Sequence, residues 1–262
     1  MRRKVIFSTE SVEKIFGGIR AIHAITFQIY KGEIQGLIGP NGAGKTTLVN
    51  LMTGVEKPSM GKMFFLNKRI DDISSKTIFQ MGISRTFQEG RIVPGLTVLE
   101  NIISGLPSLE KNNFFRLTSN LILKSRINDQ IMIKGKEILE AFDLVSLSER
   151  WAEDLVWAER QLVQIARAVI SKPKLLLLDE PTAGMGQKEK EKIGRQIERI
   201  NRKGITILLV SHDVQFVRHL AQRITVLDFG QKISQGTPEK VFNDSRVWEA
   251  YLGEQSSTYF KN

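Results

Sequence analysis

A glycine-rich loop followed by lysine and threonine is the strongest chemical signal in the sequence. Residues 39–47 are Gly-Pro-Asn-Gly-Ala-Gly-Lys-Thr-Thr and fit the pattern G-x-x-x-x-G-K-[ST]. Glycines let such a backbone wrap closely around phosphate, so that its N–H groups converge on the oxygens. Lys45 would reach the terminal phosphates and Thr46 would supply a hydroxyl to Mg²⁺. The expected nucleotide contacts are Gly39, Asn41, Gly42, Ala43, Gly44, Lys45, Thr46 and Thr47.

Two adjacent carboxylates, Asp179 and Glu180, follow a run of four leucines. An acidic residue at the end of a buried strand can hold Mg²⁺ through water. A neighbouring carboxylate can orient or deprotonate an attacking water. We therefore expect Asp179 at the metal and Glu180 at the water. The alternative is a strand end that carries two solvated carboxylates.

The elements that must position these groups are short buried strands alternating with helices. Residues 33–39, 174–180 and 205–213 are apolar runs that end in polar residues or in the glycine loop, which is typical of central parallel strands. Helical spacing of apolar residues follows at 45–54 and 188–202. This alternation predicts an α/β fold.

A stretch without strong strand patterns separates the two sheet-forming parts. Residues 131–144 and 159–170 within or near it have helical spacing. We therefore predict a phosphate-binding α/β core made of residues 1–89 and 165–262, with a helical subdomain at 90–164.

The composition excludes several classes of protein. The chain has 262 residues, with 41% hydrophobic and 25% charged residues, which is ordinary for a globular protein and excludes collagen-like or disordered chains. It has no cysteine, so disulfides, thiol catalysis and thiolate-bound metals are excluded. No signal-peptide core or membrane-length apolar run is present, and we expect a cytosolic chain.

The net charge of +10 is concentrated near the start of the chain. Residues 1–92 contain 14 basic and 7 acidic residues, which gives +7. A basic surface attracts nucleotide phosphates, nucleic acid or acidic lipid headgroups, but a basic solvated surface without a partner is equally compatible with these counts.

Together these motifs resemble the ATP-binding subunits of ABC transporters, over almost the whole chain. Asp-Glu-Pro-Thr at 179–182 matches the Walker B motif of that family and the residues that follow it. Ser-His-Asp at 211–213 matches the switch histidine region of the family. The resemblance implies a P-loop NTPase core of ABC ATPase type, with an N-terminal antiparallel β element and a helical subdomain. It also implies ATP hydrolysis, with ATP and Mg²⁺ as cofactors.

The resemblance assigns roles to further residues. His212 would contact the γ-phosphate. Gln88, within Arg-Thr-Phe-Gln at 85–88, would touch Mg²⁺ or the attacking water and sense a membrane partner. Phe16 would stack on adenine, although an aromatic residue near a strand end is also typical of a core position. The implied catalytic residues are Lys45, Gln88, Glu180 and His212, and the implied metal site is Thr46, Gln88 and Asp179.

One branch of the family fits best, the ATPases of branched-chain amino acid importers, and the urea or amide importer subunits are also similar. The supporting segments are Phe-Gly-Gly-Ile-Arg-Ala-Ile at 16–22, Arg-Thr-Phe-Gln at 85–88, Gln-Gly-Thr-Pro-Glu at 235–239 and Ala-Tyr-Leu-Gly-Glu at 250–254.

The sequence departs from the family at its signature segment. Where Leu-Ser-Gly-Gly-Gln is usual, this chain has Leu155, Val156, Trp157, Ala158 and Glu159. In the family this segment lies against the γ-phosphate of ATP held by the opposite subunit. Val156 lacks the hydroxyl, and Ala158 adds a Cβ where glycine allows close approach. Helix N-terminal N–H groups can still face the phosphate. We expect a weakened composite site here, unless the subfamily tolerates these changes.

A second departure follows the carboxylates. Residues 183–186 are Ala-Gly-Met-Gly, whereas the family usually has Asn or Asp at the last position. Gly186 offers no side chain for a contact across a dimer. We therefore expect reduced communication between two ATP sites, with hydrolysis in the chain's own site intact.

The resemblance also implies partners. ATP would close two such chains, or this chain and a paralogue, face to face, and hydrolysis would reopen them. The expected partners are a second ATP-binding subunit, two transmembrane permease subunits and, indirectly, a solute-binding protein, with no nucleic acid. The chain would then be cytoplasmic and peripheral on the inner face of the cell membrane.

Three other functions are compatible with the sequence. A lipid or lipopolysaccharide exporter ATPase shares the fold and the motifs. A soluble ABC-type ATPase acting on nucleic acid or ribosomes agrees with the basic charge, but this chain has neither a coiled-coil insert nor a second nucleotide domain. A degenerate regulatory binding subunit agrees with the altered signature.

Overall fold

Strands form two sheets in the computed structural model, which describes residues 3–86, 92–107 and 129–252. Within those ranges the strands are β1 (Val5–Phe16), β2 (Ile19–Ile25), β3 (Gln28–Tyr30), β4 (Ile34–Ile38), β5 (Met60–Phe65), β6 (Lys68–Arg69), β7 (Ile83–Arg85), β8 (Leu175–Asp179), β9 (Thr206–Val210), β10 (Arg223–Asp228) and β11 (Gln231–Gly236). The strands predicted at 33–39, 174–180 and 205–213 are confirmed with slightly shorter bounds.

The larger sheet carries the parallel strands. Its order is β11-β10-β4-β9-β8-β7, and only the β10–β11 pair is antiparallel. Every residue of β4, β8 and β9 is buried, which explains why their sequences are continuous apolar runs rather than alternating ones. Parallel pairing aligns the carboxyl ends of these three strands at one edge of the sheet.

The smaller sheet is antiparallel and lies at the N-terminus. Its order is β2-β1-β5-β6, and β3 also pairs with β1. The sequence predicts a small antiparallel element here, and the structure shows five strands built around the 12-residue β1. Register shifts interrupt the β1–β2 and β1–β5 ladders. Such irregularities bend the strand that carries them, here β1.

The helices of the described ranges are α1 (Lys45–Met52), α2 (Ser75–Met81), α3 (Val98–Ile103), α4 (Asp129–Ala141), α5 (Trp157–Val169), α6 (Gln187–Arg202), α7 (Val214–Leu220), α8 (Pro238–Phe242) and α9 (Ser245–Leu252). The predicted helix at 131–144 ends earlier than expected, because Asp143 has a left-handed backbone (φ 57°). No helix in these ranges is both long and apolar enough to cross a bilayer.

Helices α3, α4 and α5 account for most of the predicted helical stretch. Helix α5 runs unbroken across residue 164, where the sequence places the boundary with the core. We propose that residues 90–164 form a helical subdomain of the core, and that the two parts share helix α5.

Two hydrophobic clusters cover opposite faces of the parallel sheet. Leu176 and Leu178 of β8 belong to the cluster that includes the faces of α3, α5 and α6. Leu175 and Leu177 belong to the cluster between this sheet, α1 and the antiparallel sheet. Burial on both faces fixes the position of β8, and therefore of the carboxylates that follow it.

Candidate functional site

The phosphate loop (residues 39–47) joins the carboxyl end of β4 to the first turn of α1. Gly44 is the N-cap of α1 and has φ 96°. A Cβ at Gly44 would lie 2.9 Å from the carbonyl oxygen of Ala21, and a Cβ at Gly39 would lie 2.2 Å from that of Leu227. Both positions therefore require glycine, for packing as well as for conformation.

Lys45 directs its ammonium group into the loop. Its Nζ donates to the carbonyl oxygens of Gly39 at 2.6 Å and Pro40 at 2.9 Å, and the residue is buried. A positive charge is therefore held inside the curve of the loop, next to the N-terminal end of α1. Both features favour a bound anion.

One cavity of about 220 Å³ brings seven of the eight predicted phosphate-loop contacts, all but Gly39, together with Asp179 and Glu180. It is lined by Ala21, Asn41, Gly42, Ala43, Gly44, Lys45, Thr46, Thr47, Asp179 and Glu180. The hydroxyl of Thr46 and two carboxylates are hard oxygen donors of the kind that Mg²⁺ accepts beside phosphates. The residues present therefore fit a nucleotide with its magnesium ion.

Asp179 is held by an arginine that the sequence assigns no role in the site. Nη2 of Arg85 donates to Oδ2 of Asp179 at 2.8 Å, and Nη1 donates to Oδ1 of Asn50 in α1 at 2.6 Å. Thr86 adds a contact, because its Oγ1 accepts from the backbone N–H of Asp179 at 3.3 Å. The end of β7 thus fixes the carboxylate that faces the cavity.

Glu180 is held by the residues that follow β9. Its Oε1 accepts from the backbone N–H of His212 at 2.9 Å, and its Oε2 accepts from Oγ of Ser211 at 3.1 Å. Glu180 also has φ 49°, a conformation that costs a non-glycine residue about 1–3 kcal/mol. Its own N–H donates to the carbonyl oxygen of Val210 at 2.8 Å, which holds the strained backbone in place.

His212 lies against Glu180 but outside the lining of the cavity. Nδ1 of His212 is 2.9 Å from Oε2 of Glu180, while the imidazole is 57% exposed. The structure therefore brings the two predicted catalytic groups into direct contact. The exposed edge of the ring is free to meet a ligand from outside this pair.

The signature segment begins helix α5. Val156 is the N-cap and is 63% exposed, and its N–H donates to Oε2 of Glu159 at 3.2 Å. Leu155 is buried, whereas Ala158 is partly buried and packs against the core of its own chain. The added methyl group of Ala158 therefore faces the chain's interior in part, so the expected steric effect on a partner is reduced and the missing hydroxyl of the exposed Val156 is the main departure.

Trp157 joins the signature segment to the loop after the carboxylates. Its Nε1 donates to the carbonyl oxygen of Ala183 at 2.9 Å. That loop ends at Gly186, the exposed N-cap of α6, whose N–H donates to Oε2 of Glu189 at 2.9 Å. Two segments that depart from the family pattern are thus in direct contact.

Besides Gly39 and His212, two predicted residues are not among those that line the cavity. Phe16 ends β1, is 43% exposed, and has Nζ of Lys14 above its ring at 4.6 Å, but it is not among the residues that line the cavity. Gln88 lies outside the residues that the structure describes.

Comparison with known families agrees with this geometry. The model of the ABC transporter family matches residues 22–183. The High-affinity branched-chain amino acid transport ATP-binding protein LivG of Escherichia coli (strain K12) is 33% identical over 250 residues, which cover 95% of this chain and 98% of the relative. This chain belongs to the ABC transporter ATP-binding family. A second model, of branched-chain amino acid ATP-binding cassette transporters, matches residues 231–256.

Solved ABC cassettes share the fold. The ADP conformation of MJ1267, an ATP-binding cassette of an ABC transporter, has a TM-score of 0.83 and 31% identity, covering 95% of this chain and 99% of that one. A dimeric post-hydrolysis structure of the cassette MJ0796 bound to ADP and Pi has a TM-score of 0.73 and 25% identity, covering 89% and 99%. The predicted fold class and family are therefore confirmed. The chain is a nucleotide-binding ATPase coupled to transport.

Sequence reasoning missed two residues of this ABC site and one contact of a third. Arg85 and Ser211 lie inside motifs that the sequence singles out, but only the structure shows that they bind Asp179 and Glu180. Trp157 is predicted as part of the signature, but no pattern near either residue predicts its hydrogen bond to Ala183. The position of Ser211 at the end of a predicted parallel strand is the one sequence signal that favours it, and no such signal exists for Arg85.

Proposed function

We propose that this ABC ATPase powers the import of branched-chain amino acids. The observation that carries the hydrolytic part of the proposal is the convergence of the phosphate loop, Asp179 and Glu180 on one cavity. The substrate part is supported by the name of the E. coli relative and by the C-terminal match at residues 231–256. Because this C-terminal match is to branched-chain amino acid transporters, it favours amino acid import over lipid export.

In this proposal the chain's own residues bind ATP and position the attacking water. Lys45 and the loop N–H groups would bind the β- and γ-phosphates, and Thr46, Asp179 and Gln88 would hold Mg²⁺, which would supply positive charge beside the phosphates. Glu180 orients the water, and Ser211 and His212 fix its carboxylate. Phe16 is retained as the residue that stacks on adenine.

A second ATP-binding subunit is proposed to face the signature. Val156 and Trp157 are exposed at the start of α5, and the glycine-rich loop that Trp157 contacts is next to them. The dimeric MJ0796 cassette supports such an assembly for a chain of this fold. With valine in place of serine, we keep the proposal that this chain's signature forms the weaker of the two composite sites.

A groove beside Arg85 is proposed to receive the permease. This groove, of about 390 Å³, lies between α2 and α5 and combines apolar Ile78 and Phe79 with Arg85 and Arg167. Burial lowers the pKa of Arg167. Because Arg85 also binds Asp179, a partner seated in the groove would contact a residue that supports the ATP site. This arrangement would place the chain on the inner face of the membrane, with a solute-binding protein acting through the permease.

The experiment that tests this function is purification of the Glu180→Gln chain, with ATP, from gently solubilised native membranes. Two polytopic membrane proteins and a second ATPase, identified by mass spectrometry, support an importer. The wild-type complex is then reconstituted with its solute-binding protein, and uptake of leucine is measured with and without competing valine or urea. Ribosomal partners without membrane proteins would instead indicate the soluble ATPase function.

Nucleotide binding by the same variants separates the chemistry from the assembly. Lys45→Ala is expected to lose ATP binding, because the loop loses its cation. Glu180→Gln is expected to bind ATP, remain in a closed dimer and lose hydrolysis. Glu140→Gln, an exposed carboxylate on α4, serves as the control with normal hydrolysis. Normal hydrolysis by Glu180→Gln contradicts the assigned role of that residue.

A further inference from the structure

A cavity of about 670 Å³ lies away from the phosphate loop and is surrounded by lysines. The lining side chains that carry a positive charge are Lys4, Lys31, Lys172, Lys174 and Lys203. The acidic residue in this lining is Glu137 of α4, so the balance is five minus one, or +4. We refer to it as the lysine cavity.

The lysine cavity and the ATP site lie at opposite ends of the same strands. Lys174 directly precedes β8, and Ile205, another lining residue, directly precedes β9. The phosphate loop follows the other end of β4, and the two carboxylates lie at the other end of β8. Five extended residues span about 16 Å, so one ligand in the ATP cleft does not reach both. The lysine cavity is therefore a separate site.

Apolar side chains form the floor of the lysine cavity. They come from β1 (Val5 and Ile6), from α4 (Ile138 and Ala141) and from the C-terminal end of α5 (Val169), together with Leu66, Pro173 and Ile205. The cavity is thus built where the antiparallel sheet, the helical stretch and the parallel sheet meet. Its volume is within the range of pockets that bind small molecules.

The charges around this floor lack internal partners. Among the residues that the structure describes, none of the five lysines has a salt bridge, and all five are exposed. Five ammonium groups around one concave surface repel each other, and an anion placed between them would relieve that repulsion. Because the floor of the cavity is apolar, the part of the ligand that lies on it must be uncharged.

The turn that carries two of the lysines is conformationally strained. Lys172 has φ 51° and precedes Pro173, which is buried. Left-handed backbone at a lysine costs free energy that glycine or asparagine would avoid. The buried proline and this backbone fix the positions of Lys172 and Lys174 in the lining of the cavity.

We propose that the lysine cavity binds a small amphiphilic anion, with a carboxylate or phosphate head between the lysines and an apolar body on the floor formed by β1, α4 and α5. Such a ligand would contact the antiparallel sheet and the helical stretch together. The same chemistry is available from a free metabolite and from a lipid headgroup, and the experiment distinguishes the two.

The test is calorimetric titration of the full chain with octyl phosphate, with saturating ADP present to fill the phosphate loop. The ADP titration itself reports on the ATP site, so failure of nucleotide binding is seen separately. We expect one octyl phosphate per chain. Inorganic phosphate and octanol, which each lack one half of the ligand, are expected to bind at least about tenfold more weakly.

Variants assign the binding to the cavity. Lys172→Gln combined with Lys174→Gln is expected to weaken octyl phosphate binding by at least about tenfold, or about 1.4 kcal/mol. Lys188→Gln with Lys192→Gln removes the same charge from the exposed face of α6 and is expected to leave binding unchanged. Equal binding by the two double variants, or no binding by the wild type, overturns the proposal.

Vesicles distinguish the source of the anion. Sedimentation with phosphatidylcholine vesicles containing phosphatidic acid is compared with the soluble titration. Binding of octyl phosphate without vesicle binding indicates a free metabolite. Vesicle binding that the Lys172→Gln/Lys174→Gln variant loses indicates a lipid headgroup. Vesicle binding that this variant retains, without octyl phosphate binding, contradicts the proposal.

Discussion

Arg85 and Asp179 form a buried ion pair of 2.8 Å between neighbouring strands β7 and β8, and only 10% and 2% of their side chains are exposed. The same guanidinium donates to Asn50 in the helix that follows the phosphate loop. One arginine therefore connects the phosphate loop's helix, the proposed metal carboxylate and the groove proposed for the permease.

Loss of Arg85 is expected to destabilise the chain strongly. Arg85→Gln leaves the carboxylate of Asp179 buried without its charge partner, and breaking a buried pair in this way costs about 3–5 kcal/mol. The measurement is the free energy of unfolding in urea. Arg202→Gln breaks an exposed pair with Glu198 on α6 and is the control, expected to have little effect.

A double variant shows whether the pair itself is responsible. In Arg85→Gln with Asp179→Asn the buried charge is absent, so most of the lost stability is expected to return. If Arg85→Gln is as stable as the wild type, the pair has no structural role. If the double variant is as unstable as the single one, the effect of Arg85 comes from Asn50 instead.

Ser211 is expected to influence catalysis through Glu180. Ser211→Ala removes the hydroxyl that donates to Oε2 of Glu180, a hydrogen bond worth about 0.5–1.5 kcal/mol. We expect kcat for ATP hydrolysis to fall about two- to tenfold, with the KM for ATP little changed.

The control for Ser211 is another buried hydroxyl at a distance from the site. Thr225 of β10 accepts from Nε2 of Gln35, and Thr225→Ala is expected to lower stability without a specific effect on kcat. A rise in KM with kcat unchanged in Ser211→Ala would show that Ser211 acts on nucleotide binding and not on the position of Glu180.

The sequence predicts those parts of the site that depend on continuous local patterns. Strands β4, β8 and β9 are buried on both faces, so their apolar runs are conspicuous, and the loop and carboxylates at their ends follow directly. Strand β7 has only three residues and produces no such run. The antiparallel element at the N-terminus is confirmed, but the sequence does not delimit its five strands, because bulges interrupt the alternation along β1.

Contacts distant in sequence depend on how strands pair, which local patterns do not contain. Arg85 reaches Asp179, 94 residues away, because β7 pairs in parallel with β8 and sets Arg85 opposite Leu177. Nothing in either segment specifies that neighbour. The same holds for the contact between Trp157 and Ala183, since a helix start meets a loop from another part of the core.

Asp213 is expected to make stability depend on pH. It caps α7 by accepting from the N–H of Phe216 at 3.0 Å and pairs with Lys190. Burial alone would raise the pKa of Asp213, but the hydrogen bonds from Lys190 and Phe216 outweigh burial and lower it below its ordinary value of 3.8. A lowered folded-state pKa means stabilisation above the unfolded-state pKa, lost as pH falls through the folded-state value.

The Asp213→Asn variant isolates this effect, because asparagine retains a capping oxygen and loses the charge. The wild type is expected to be more stable than the variant at about pH 7, and the difference should shrink as pH falls below about 4. Asp213→Ala is expected to lose a further 0.5–2 kcal/mol or so at every pH, because the cap is gone. A pH-independent difference between wild type and Asp213→Asn contradicts the assignment.

The signature is expected to limit activity through Val156 more than through Ala158. Val156→Ser restores a hydroxyl at an exposed position, whereas Ala158→Gly removes a methyl group that packs partly inside the chain. In the assembled complex we expect Val156→Ser to raise ATPase activity and uptake, and Ala158→Gly to lower stability instead. If the double variant leaves ATPase activity and uptake unchanged, the signature is not weakened.

Trp157 is expected to act as a positioning residue for the loop that follows Glu180. Trp157→Phe keeps an aromatic ring but removes the donor to Ala183, a bond worth about 0.5–1.5 kcal/mol. In the assembled complex we expect kcat to fall about two- to tenfold and the KM for ATP to change little, since the phosphate loop is untouched. Trp151→Phe, at an indole that is also exposed, is the control and should leave both parameters unchanged.

A histidine at position 157 presents a ring N–H to the same loop, so partial recovery of kcat in Trp157→His would show that the hydrogen bond, and not the ring alone, positions the loop. Equal kcat values for Trp157→Phe and the wild type would exclude that role.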